Sequence, residues 1–554
     1  MPKSLALIGF LCLAVCAQAA VVRPTFTSTP SVSASEGVLY TYQVTASTPD
    51  HEAITFALHG PAGAVLQNGN TVNWTPSAVQ ARKVNGFTIT ATSSSGGKAT
   101  QNFKIDPTGT VSGTEIAHFL KGATVAQDLS TTQVAAYFPD GSAGYTTIAG
   151  TGTSAGTFAI NKVPGGFYLL QLGNLYFWTQ NGTTHADTYA DTRPNPAQAG
   201  SSTTVTFNLS NVHPWQTTDI LELFSANNAT YLSFDGTTGE TKFTGTYPYG
   251  GALSDAAFGD RYYSTQLITQ PLGGSPFVAL GRSFTVPQFT QADGSDTTIA
   301  GAMQTVLQTE QFEANLNGGD ISNAAAEINA SGTLSDTSVF LDAFPGSLGN
   351  GVATASPDLV GYSLGNGLPF LTSNTDLGPV FYANPFPATW PLFTGYVWSV
   401  DVPYTTPGAS IGTDLFGSVF GFGTTLPTST QPLELLISGP TTPTVNGQKF
   451  ASNLSGVGLT PSLAWSAPAT GKASYYQLFV WRLSKNGSAS AVTLVDTLQT
   501  SATSLTLPPG LLVSGDAYVF DLWAYTVQGY SVAWPLKFRL PYGAADVMSG
   551  VMQP

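Results

Sequence analysis

Short runs of alternating apolar and polar residues dominate the chain, and residues that favour turns separate them about every ten positions. Residues 37–44 and 87–91 are two such runs. This alternation is typical of half-buried β-strands, and the abundance of Gly (59) and Pro (36) favours sandwiches or barrels. The best helical pattern covers residues 297–316, where Ile299, Met303 and Phe312 follow a helical spacing, although a pair of strands fits almost as well.

The first residues predict export from the cytoplasm. Lys3 precedes an apolar run at 5–15 that is too short to span a bilayer, and Ala17 and Ala19 suit a signal peptidase. We therefore expect a signal peptide over residues 1–19 and a secreted or extracytoplasmic protein, either released or associated with the cell surface. Lipoprotein anchoring at Cys16 is the disfavoured alternative, because Val15 is bulky for the position before an acylated cysteine.

Both cysteines, Cys12 and Cys16, lie inside this segment. The mature chain then has no disulfide, no zinc–thiolate site and no thiol nucleophile. Without disulfides its stability must come from burial, which requires domains of about 100 residues each.

Charge is sparse and acidic, with 32 Asp and Glu against 18 Lys and Arg and a net charge of −14. Residues 283–448 contain no Lys or Arg at all. Such a surface repels phosphate backbones, so we expect no nucleic-acid partner. We also expect no transmembrane helix, because the most apolar stretch, residues 517–536, is interrupted by Asp521 and Gln528.

Residues 21–107 carry a Trp-containing strand at 72–76, where Trp74 is a large core anchor and Pro76 ends the strand. With the alternating strands around it, this segment resembles the cadherin-like putative immunoglobulin domains of bacterial surface proteins. Calcium-binding cadherins cluster carboxylates at domain junctions. Here Asp50 and Glu52 give an incomplete carboxylate pattern, so we expect no cofactor, with calcium as the alternative.

Residues 109–193 contain the run 156–170, in which Phe158, Ile160 and Val163 alternate toward a core before a Pro-Gly-Gly turn. This segment resembles a carboxypeptidase regulatory-like domain, a small prealbumin-type sandwich. In that family such modules are accessory folds, so the resemblance argues against a local active site.

Residues 443–542 contain Trp465 on an early strand, and Tyr518 follows Leu512 by six positions. The second spacing is that of a tyrosine corner, and together the two elements resemble a fibronectin type III module. Residues 543–554 are left as a C-terminal tail, and residues 194–440 as a central β-rich domain of no recognised family. The predicted architecture is therefore all-β, with tandem immunoglobulin-like and fibronectin type III-like sandwiches flanking a larger central domain.

Aromatic residues crowd two stretches of this central domain. Exposed Trp and Tyr rings stack on the faces of sugars and add directional hydrogen bonds. The candidate ligand-binding residues are Tyr247, Tyr249, Tyr382, Trp390, Tyr396 and Trp398. Their acidic and amide neighbours suit neutral carbohydrate. The alternative is that most of these rings fill sandwich cores.

The closest sequence pattern to a metal site is His185, Asp187 and Asp191, which would share one face of a strand. A polar loop between domains is the alternative, so these residues are weak metal candidates. For glycoside hydrolysis, a pair of carboxylates is required, and Asp219 with Glu222 or Glu310 with Glu313 are surface candidates.

These patterns favour a secreted or cell-surface binding or adhesion protein that recognises carbohydrate or a protein partner and is not an enzyme. One alternative is a structural component of the envelope or extracellular matrix. Another is a secreted glycan hydrolase with its site in residues 194–440. The oligomeric state is not specified by the sequence.

Overall fold

The computed structural model describes residues 21–119, 122–139, 144–190, 192–272, 275–345, 356–362 and 371–554. They divide into two compact units. The first contains the described residues up to Thr110 together with 161–166, and the second contains 111–160 and 167–554. Nearly all the regular structure is β-strand, which confirms the predicted all-β class. The predicted signal peptide and the two cysteines lie outside the described residues.

The first unit is a β-sandwich built on the predicted tryptophan anchor. Trp74 pairs with Tyr40 across the sheet and is 1% exposed, and its ring meets Phe87 edge-on with centroids 5.2 Å apart. The sheets are β2–β6–β5 and β4–β7–β8, with a β1–β3 ribbon. The strands are Thr25–Phe26 (β1), Tyr40–Gln43 (β2), Ala46–Ser47 (β3), Ile54–His59 (β4), Val65–Gln67 (β5), Thr71–Trp74 (β6), Asn85–Ser93 (β7) and Lys98–Ile105 (β8).

The following strands form a smaller sandwich, in which Phe158 and Ile160 are buried as predicted. One sheet has the order β14–β15–β9–β18, and β13, β12, β16 and β17 pair antiparallel in a second. The strands are Gly109–Thr114 (β9), Ile116–His118 (β10), Thr124–Ala126 (β11), Val134–Pro139 (β12), Tyr145–Ala149 (β13), Thr151–Gly152 (β14), Thr157–Val163 (β15), Tyr168–Leu172 (β16), Leu175–Thr179 (β17), Thr183–His185 (β18) and Thr188–Tyr189 (β19).

The central region has two hydrophobic cores. One includes Phe207, Trp215 and Ile299, and the other includes Phe312 and Trp398. The elements are Thr204–Ser210 (β20), Ile220–Ser225 (β21), Thr230–Phe234 (β22), Phe243–Pro248 (β23), Tyr263–Leu272 (β24), Ser275–Thr285 (β25), Asp296–Ala302 (β26), Gln304–Thr305 (β27), Glu310–Asn317 (β28), Gly318–Ala326 (α1), Thr333–Ala343 (β29), Asp358–Tyr362 (β30), Asn374–Tyr382 (β31), Leu392–Tyr404 (β32) and Thr413–Gly423 (β33).

The helical pattern at 297–316 does not form a helix. Strands β26, β27 and β28 cover it, and α1 starts one residue after β28 ends. The alternating burial of β26 and β28 decides for strands, because each places every second side chain against a core. Strands are therefore the correct interpretation of this segment, although there are three of them and they pair with β20, β25 and β31, not with each other.

The last sandwich contains the contact of the predicted tyrosine corner, because Tyr518 Oη accepts a hydrogen bond from Val513 N at 2.9 Å. Its strands are Thr441–Val445 (β34), Gln448–Lys449 (β35), Leu454–Ser455 (β36), Ser462–Ser466 (β37), Tyr475–Asn486 (β38), Ala489–Thr500 (β39), Ser504–Thr506 (β40), Ala517–Val527 (β41), Tyr542–Met548 (β42) and Met552–Gln553 (β43).

Residues 543–554, which the sequence left as a tail, belong to this sandwich. Strand β42 pairs with β41 on one side and with β33 of the central region on the other. Ala544, Ala545 and Met552 are fully buried. Because β42 lies between two strands, its small side chains are core residues. The same pairing joins the central region and the last sandwich in one sheet.

Candidate functional site

A loop of the last sandwich lies against the second sandwich. It covers residues 528–541, between the paired strands β41 and β42. The amide of His185 on β18 donates to the carbonyl of Ala533 at 2.8 Å, and the rings of His185 and Trp534 stack with centroids 4.2 Å apart. Two consecutive turns then place Lys537, whose Nζ lies 4.9 Å from the centre of the Tyr189 ring. We call this surface the loop face.

The loop face rests on a buried carboxylate. Asp187 is 3% exposed and accepts hydrogen bonds from Thr114 Oγ1 at 2.8 Å and from Ile116 N at 3.0 Å. The other carboxylate oxygen lies 3.0 Å from His118 Nε2, and His118 stacks on Tyr189. Asp187 therefore orients the pair of rings beside Lys537.

The same network fixes the protonated nitrogen of both histidines. Thr114 has one hydroxyl proton, which it donates to the carboxylate of Asp187, because a carboxylate only accepts. Thr114 Oγ1 then accepts from His185 Nδ1, 2.8 Å away, and His118 Nε2 donates to Asp187. Both nitrogens carry protons in this arrangement and are not free to bind a metal.

The structure thus assigns hydrogen-bonding roles to two of the three weak metal candidates. His185 and Asp187 meet through Thr114, and Asp191 lies outside the described residues. Within the described ranges, no group of three His, Cys, Asp or Glu residues is arranged to hold a metal ion.

The described residues also contain no helix of the length and apolarity needed to cross a membrane.

A small pocket of about 120 Å³ opens on the loop face. It is lined by Gly529, Ser531, Trp534, Lys537 and Arg539. Burial and the charge of Arg539 lower the pKa of Lys537. Within the described parts of the chain, neither cation forms an ion pair. The pocket therefore combines an indole ring, a hydroxyl group and two cations.

A second polar cluster lies in the central region, where Asp358 of β30 contacts Glu222 of β21 and Asp342 of β29. Tyr231 Oη lies 3.0 Å from Glu222 Oε1 and 3.2 Å from Asp358 Oδ2. Thr265 donates to Glu222 at 3.0 Å. Glu222 is fully buried, although the sequence suggested a surface position.

Burial is the main cause that raises the pKa of each carboxyl group in this cluster. The charge of Asp358 raises the pKa values of Glu222 and Asp342 further. Glu222 and Asp358 also share a side-chain hydrogen bond. Glycosidases separate their two carboxyl groups by roughly 5 Å or more, so that a sugar and its attacking group fit between them. The hydrogen bond between Glu222 and Asp358 instead suits two groups that share a proton.

The other carboxylate candidates have different surroundings. Asp219 is 1% exposed and accepts from the amide and hydroxyl of Thr269 at 2.7 and 2.6 Å, which makes it a structural acceptor. Glu310 and Glu313 lie on β28 opposite β31, and burial and Asp376 raise the pKa of Glu313. Asp219 and Glu222 are thus engaged in separate hydrogen-bond networks.

Four of the six aromatic candidates lie in cores. Tyr249, Tyr382, Tyr396 and Trp398 are at most 4% exposed. Tyr249 Oη donates to the Ala252 carbonyl at 2.6 Å, and Trp398 Nε1 donates to Ser322 at 3.0 Å. Rings enclosed in this way have no free face for a sugar, which corrects the predicted role of these four and agrees with the core alternative.

The remaining two candidates are half-buried. Trp390 stacks on Phe386 with centroids 5.3 Å apart and meets Tyr263 edge-on, whereas Tyr247 packs among phenylalanines of the neighbouring core. A ligand-binding role for Trp390 and Tyr247 stays a prediction.

Trp534, Lys537 and Arg539 are not among the residues predicted from the sequence. A signal was present, because two cations beside a tryptophan stand out in residues 528–541, which contain no Asp or Glu. The partners of these residues on the loop face lie about 350 positions earlier in the chain, so the alternating pattern alone does not locate them.

A family model described as "Putative Ig domain" matches residues 23–108. No curated protein sequence matches the chain. Among solved structures, a Bacteroides ovatus mixed-linkage glucan utilisation protein, SGBP-B in complex with a heptasaccharide, is 12% identical at a TM-score of 0.14. The match covers 65% of this chain and 98% of that chain.

Two structures of immunoglobulin domains also match. The eight N-terminal domains of Down syndrome cell adhesion molecule are 8% identical, with a TM-score of 0.15, covering 96% of this chain and 72% of that one. Immunoglobulin domains 1–5 of Sidekick-1 are 11% identical, with a TM-score of 0.16, covering 96% and 99%. At these scores the likenesses carry no functional argument.

The strand content and the matched first unit define the class. This is a modular all-β protein of tandem β-sandwiches. The first unit, at residues 23–108, is similar to the Putative Ig domain family.

Proposed function

We propose that this protein is an extracytoplasmic, non-catalytic binding protein that holds its ligand on the loop face. The observation that carries the proposal is the pocket lined by Trp534, Ser531, Lys537 and Arg539. Small-molecule sites combine a ring or apolar wall with a few convergent polar groups, and this pocket has both.

The scaffold supports a binding role. His185 belongs to the second sandwich, whereas Trp534 belongs to the last one. A backbone hydrogen bond from His185 to Ala533 and the stacked rings of His185 and Trp534 hold them together. Strand β17 of the second sandwich also pairs with β39 of the last, so the loop face stands on a continuous sheet. A binding site held in this way loses little conformational entropy when it takes a ligand.

The chemistry of the carboxylate cluster favours binding over catalysis. Glu222 is fully buried and shares a hydrogen bond with Asp358, and Tyr231 bridges the two carboxyl groups. Two carboxyl groups in hydrogen-bond contact do not flank a glycosidic bond as the acid and base of a glycosidase do. A glycan hydrolase in residues 194–440 is therefore the less favoured function.

The test is binding of the purified chain without residues 1–19 to glycan and protein arrays, compared with the Trp534→Ala variant. The matched control is Phe416→Ala, because Phe416 is an aromatic residue 67% exposed on β33 that does not line the pocket. We expect a ligand that the wild type and the control bind and that Trp534→Ala binds at least tenfold more weakly. Self-assembly without any bound ligand would instead support a structural matrix component.

A further inference from the structure

Lys537 and Arg539 form a pair of cations for which the described residues provide no counter-ion. They line the same pocket, and the loop that carries them, residues 528–541, contains no Asp or Glu. Within the described residues, neither side chain forms a salt bridge. Two like charges side by side cost free energy, and an anion placed between them removes this cost. The pair is thus complementary to an anionic group.

The acidic charge of the rest of the chain limits which anions this pair of cations can bind. The chain has a net charge of −14 and only 18 basic residues. A single cationic pocket on an acidic protein attracts an anion at that point, whereas the rest of the surface repels a densely charged polymer. The favoured ligand therefore has separated negative charges and an uncharged body.

The lining of the pocket specifies the group further. Arg539 presents a planar guanidinium, whose paired N–H groups match the two oxygens of a carboxylate. Gly529 adopts a φ of 64°, and a Cβ there would lie 3.5 Å from Arg539 Nη1, so the glycine leaves this side of the guanidinium open. The hydroxyl of Ser531 adds another hydrogen-bonding group.

Trp534 supplies the surface for the uncharged part of the ligand. His185 covers one side of its ring system at 4.2 Å, and the indole lines the pocket beside the two cations. Indole rings stack on the C–H faces of sugars. A sugar ring on Trp534 with its carboxylate directed to Arg539 and Lys537 uses every group of the lining.

We infer that the loop face binds a uronic acid residue of an extracellular polysaccharide, with Trp534 against the sugar ring and the Arg539–Lys537 pair on its carboxylate. This inference rests on the proposed function and names the ligand class for the same site. It differs from the neutral carbohydrate that the sequence favoured, because the sequence did not place this cationic pair in a pocket.

The probe is a matched pair of ligands: a neutral oligosaccharide that carries one galacturonic acid residue, and the same oligosaccharide with that carboxyl group methyl-esterified. Calorimetric titration of the wild-type chain should show the acid form binding at least tenfold more tightly, with an affinity that falls as salt is raised. The third ligand is an oligosaccharide whose only charged groups are sulfate esters.

Arg539→Gln is the test variant, since Arg539 is exposed and its replacement leaves the core intact. Arg261→Gln is the control with the same change of charge, because Arg261 is also exposed and does not line the pocket. We expect Arg539→Gln to lose at least tenfold in affinity for the acid form of the oligosaccharide and Arg261→Gln to change this affinity less than twofold.

The failures are distinguishable. If the acid and the ester bind equally well and Trp534→Ala still abolishes this binding, the ligand is not recognised as a uronic acid. The proposed function then stands, and only the inference is wrong. If the sulfated ligand binds more tightly than the acid form, the pocket recognises a sulfate ester and not a carboxylate. This result also overturns the inference. If an array ligand binds and Trp534→Ala does not weaken it, both the inference and the placement of the site are wrong.

Discussion

The imidazole of His185 stacks on the indole of Trp534, with ring centroids 4.2 Å apart and an angle of 20° between their planes. These residues belong to different sandwiches, and the amide of His185 also donates to the carbonyl of Ala533. The contact fixes the loop at 528–541 in the position that forms the pocket. The first prediction follows from it.

Replacing Trp534 by Ala should loosen this loop without unfolding the sandwiches. A stacked aromatic pair contributes about 0.5–1.5 kcal/mol, so the local opening equilibrium should increase roughly two- to tenfold. Hydrogen–deuterium exchange should show faster exchange within residues 528–541 and unchanged exchange in β38. The Phe416→Ala variant should leave both unchanged, and a loop that exchanges at the wild-type rate would show that the stacking does not hold it.

Tyr231→Phe should destabilise the carboxylate cluster. The Tyr231 hydroxyl lies within hydrogen-bond distance of both Glu222 and Asp358, and its removal leaves a buried carboxyl oxygen without this partner. Such a loss costs about 1–3 kcal/mol, measured as a lower calorimetric transition of the second unit. Glu222→Gln is the matched comparison: a neutral amide replaces a group with a raised pKa, so its transition should move by less than that of Tyr231→Phe.

The pH dependence of stability should reflect a second buried pair, Asp521 on β41 and Asp546 on β42. Burial raises the pKa of Asp521 from 3.8 to about 7, and burial and the charge of Asp521 raise that of Asp546. Between pH 4 and 7 the folded chain then binds more protons than the unfolded chain. Its free energy of unfolding is largest below this window and falls as the pH rises through it.

We expect the melting temperature of the second unit to fall by on the order of 5 °C between pH 4.5 and 8. Asp293, in the same unit, has a lowered pKa and loses its stabilising effect only as the pH falls below about 4, outside this window. Asp521→Asn should flatten the dependence, because its amide does not titrate. A melting temperature that rises from pH 4.5 to 8 would contradict the protonated pair.

Arg193 and Asp260 form a buried ion pair whose disruption should be costly. The guanidinium contacts both carboxylate oxygens at 3.1–3.2 Å, and the side chains are 12% and 0% exposed. Arg193→Met leaves the Asp260 charge buried and should cost about 3–5 kcal/mol in chemical denaturation. The exposed neighbour Arg261→Met should cost less than about 0.5 kcal/mol. If Arg193→Met and Arg261→Met lower the free energy of unfolding equally, Arg193 and Asp260 do not form a buried ion pair.

Local patterns predicted the first unit well. Alternation in β7 and the size of Trp74 were enough to predict a sandwich with the indole in its core, and Trp74 is buried against Phe87. The same reasoning was less successful at residues 297–316, because three strands there carry apolar residues at spacings that also fit a helix. Short helices with two leading glycines, such as α1, give no strong signal.

The candidate site was harder to predict from the sequence than the first unit. Tyr382, Tyr396 and Trp398 are apolar enough to be core residues and polar enough to be ligand residues, so composition does not separate the two roles. Burial by the facing sheet decides for the core. Glu222 was expected at the surface because carboxylates are usually exposed, yet Tyr231, Thr265 and a shared hydrogen bond with Asp358 allow it to be buried.

The sequence by itself determined the all-β class, the Trp74 core and the scarcity of basic residues, because alternation, residue size and composition are local properties of a chain. Tertiary structure alone decided that β42 is a core strand and that Trp534 and Lys537 meet His185 and Tyr189. Those contacts join segments about 350 residues apart, and strand pairing and packing create them only in the folded chain. For the same reason, only the folded chain places Lys537 and Arg539 in the lining of one pocket.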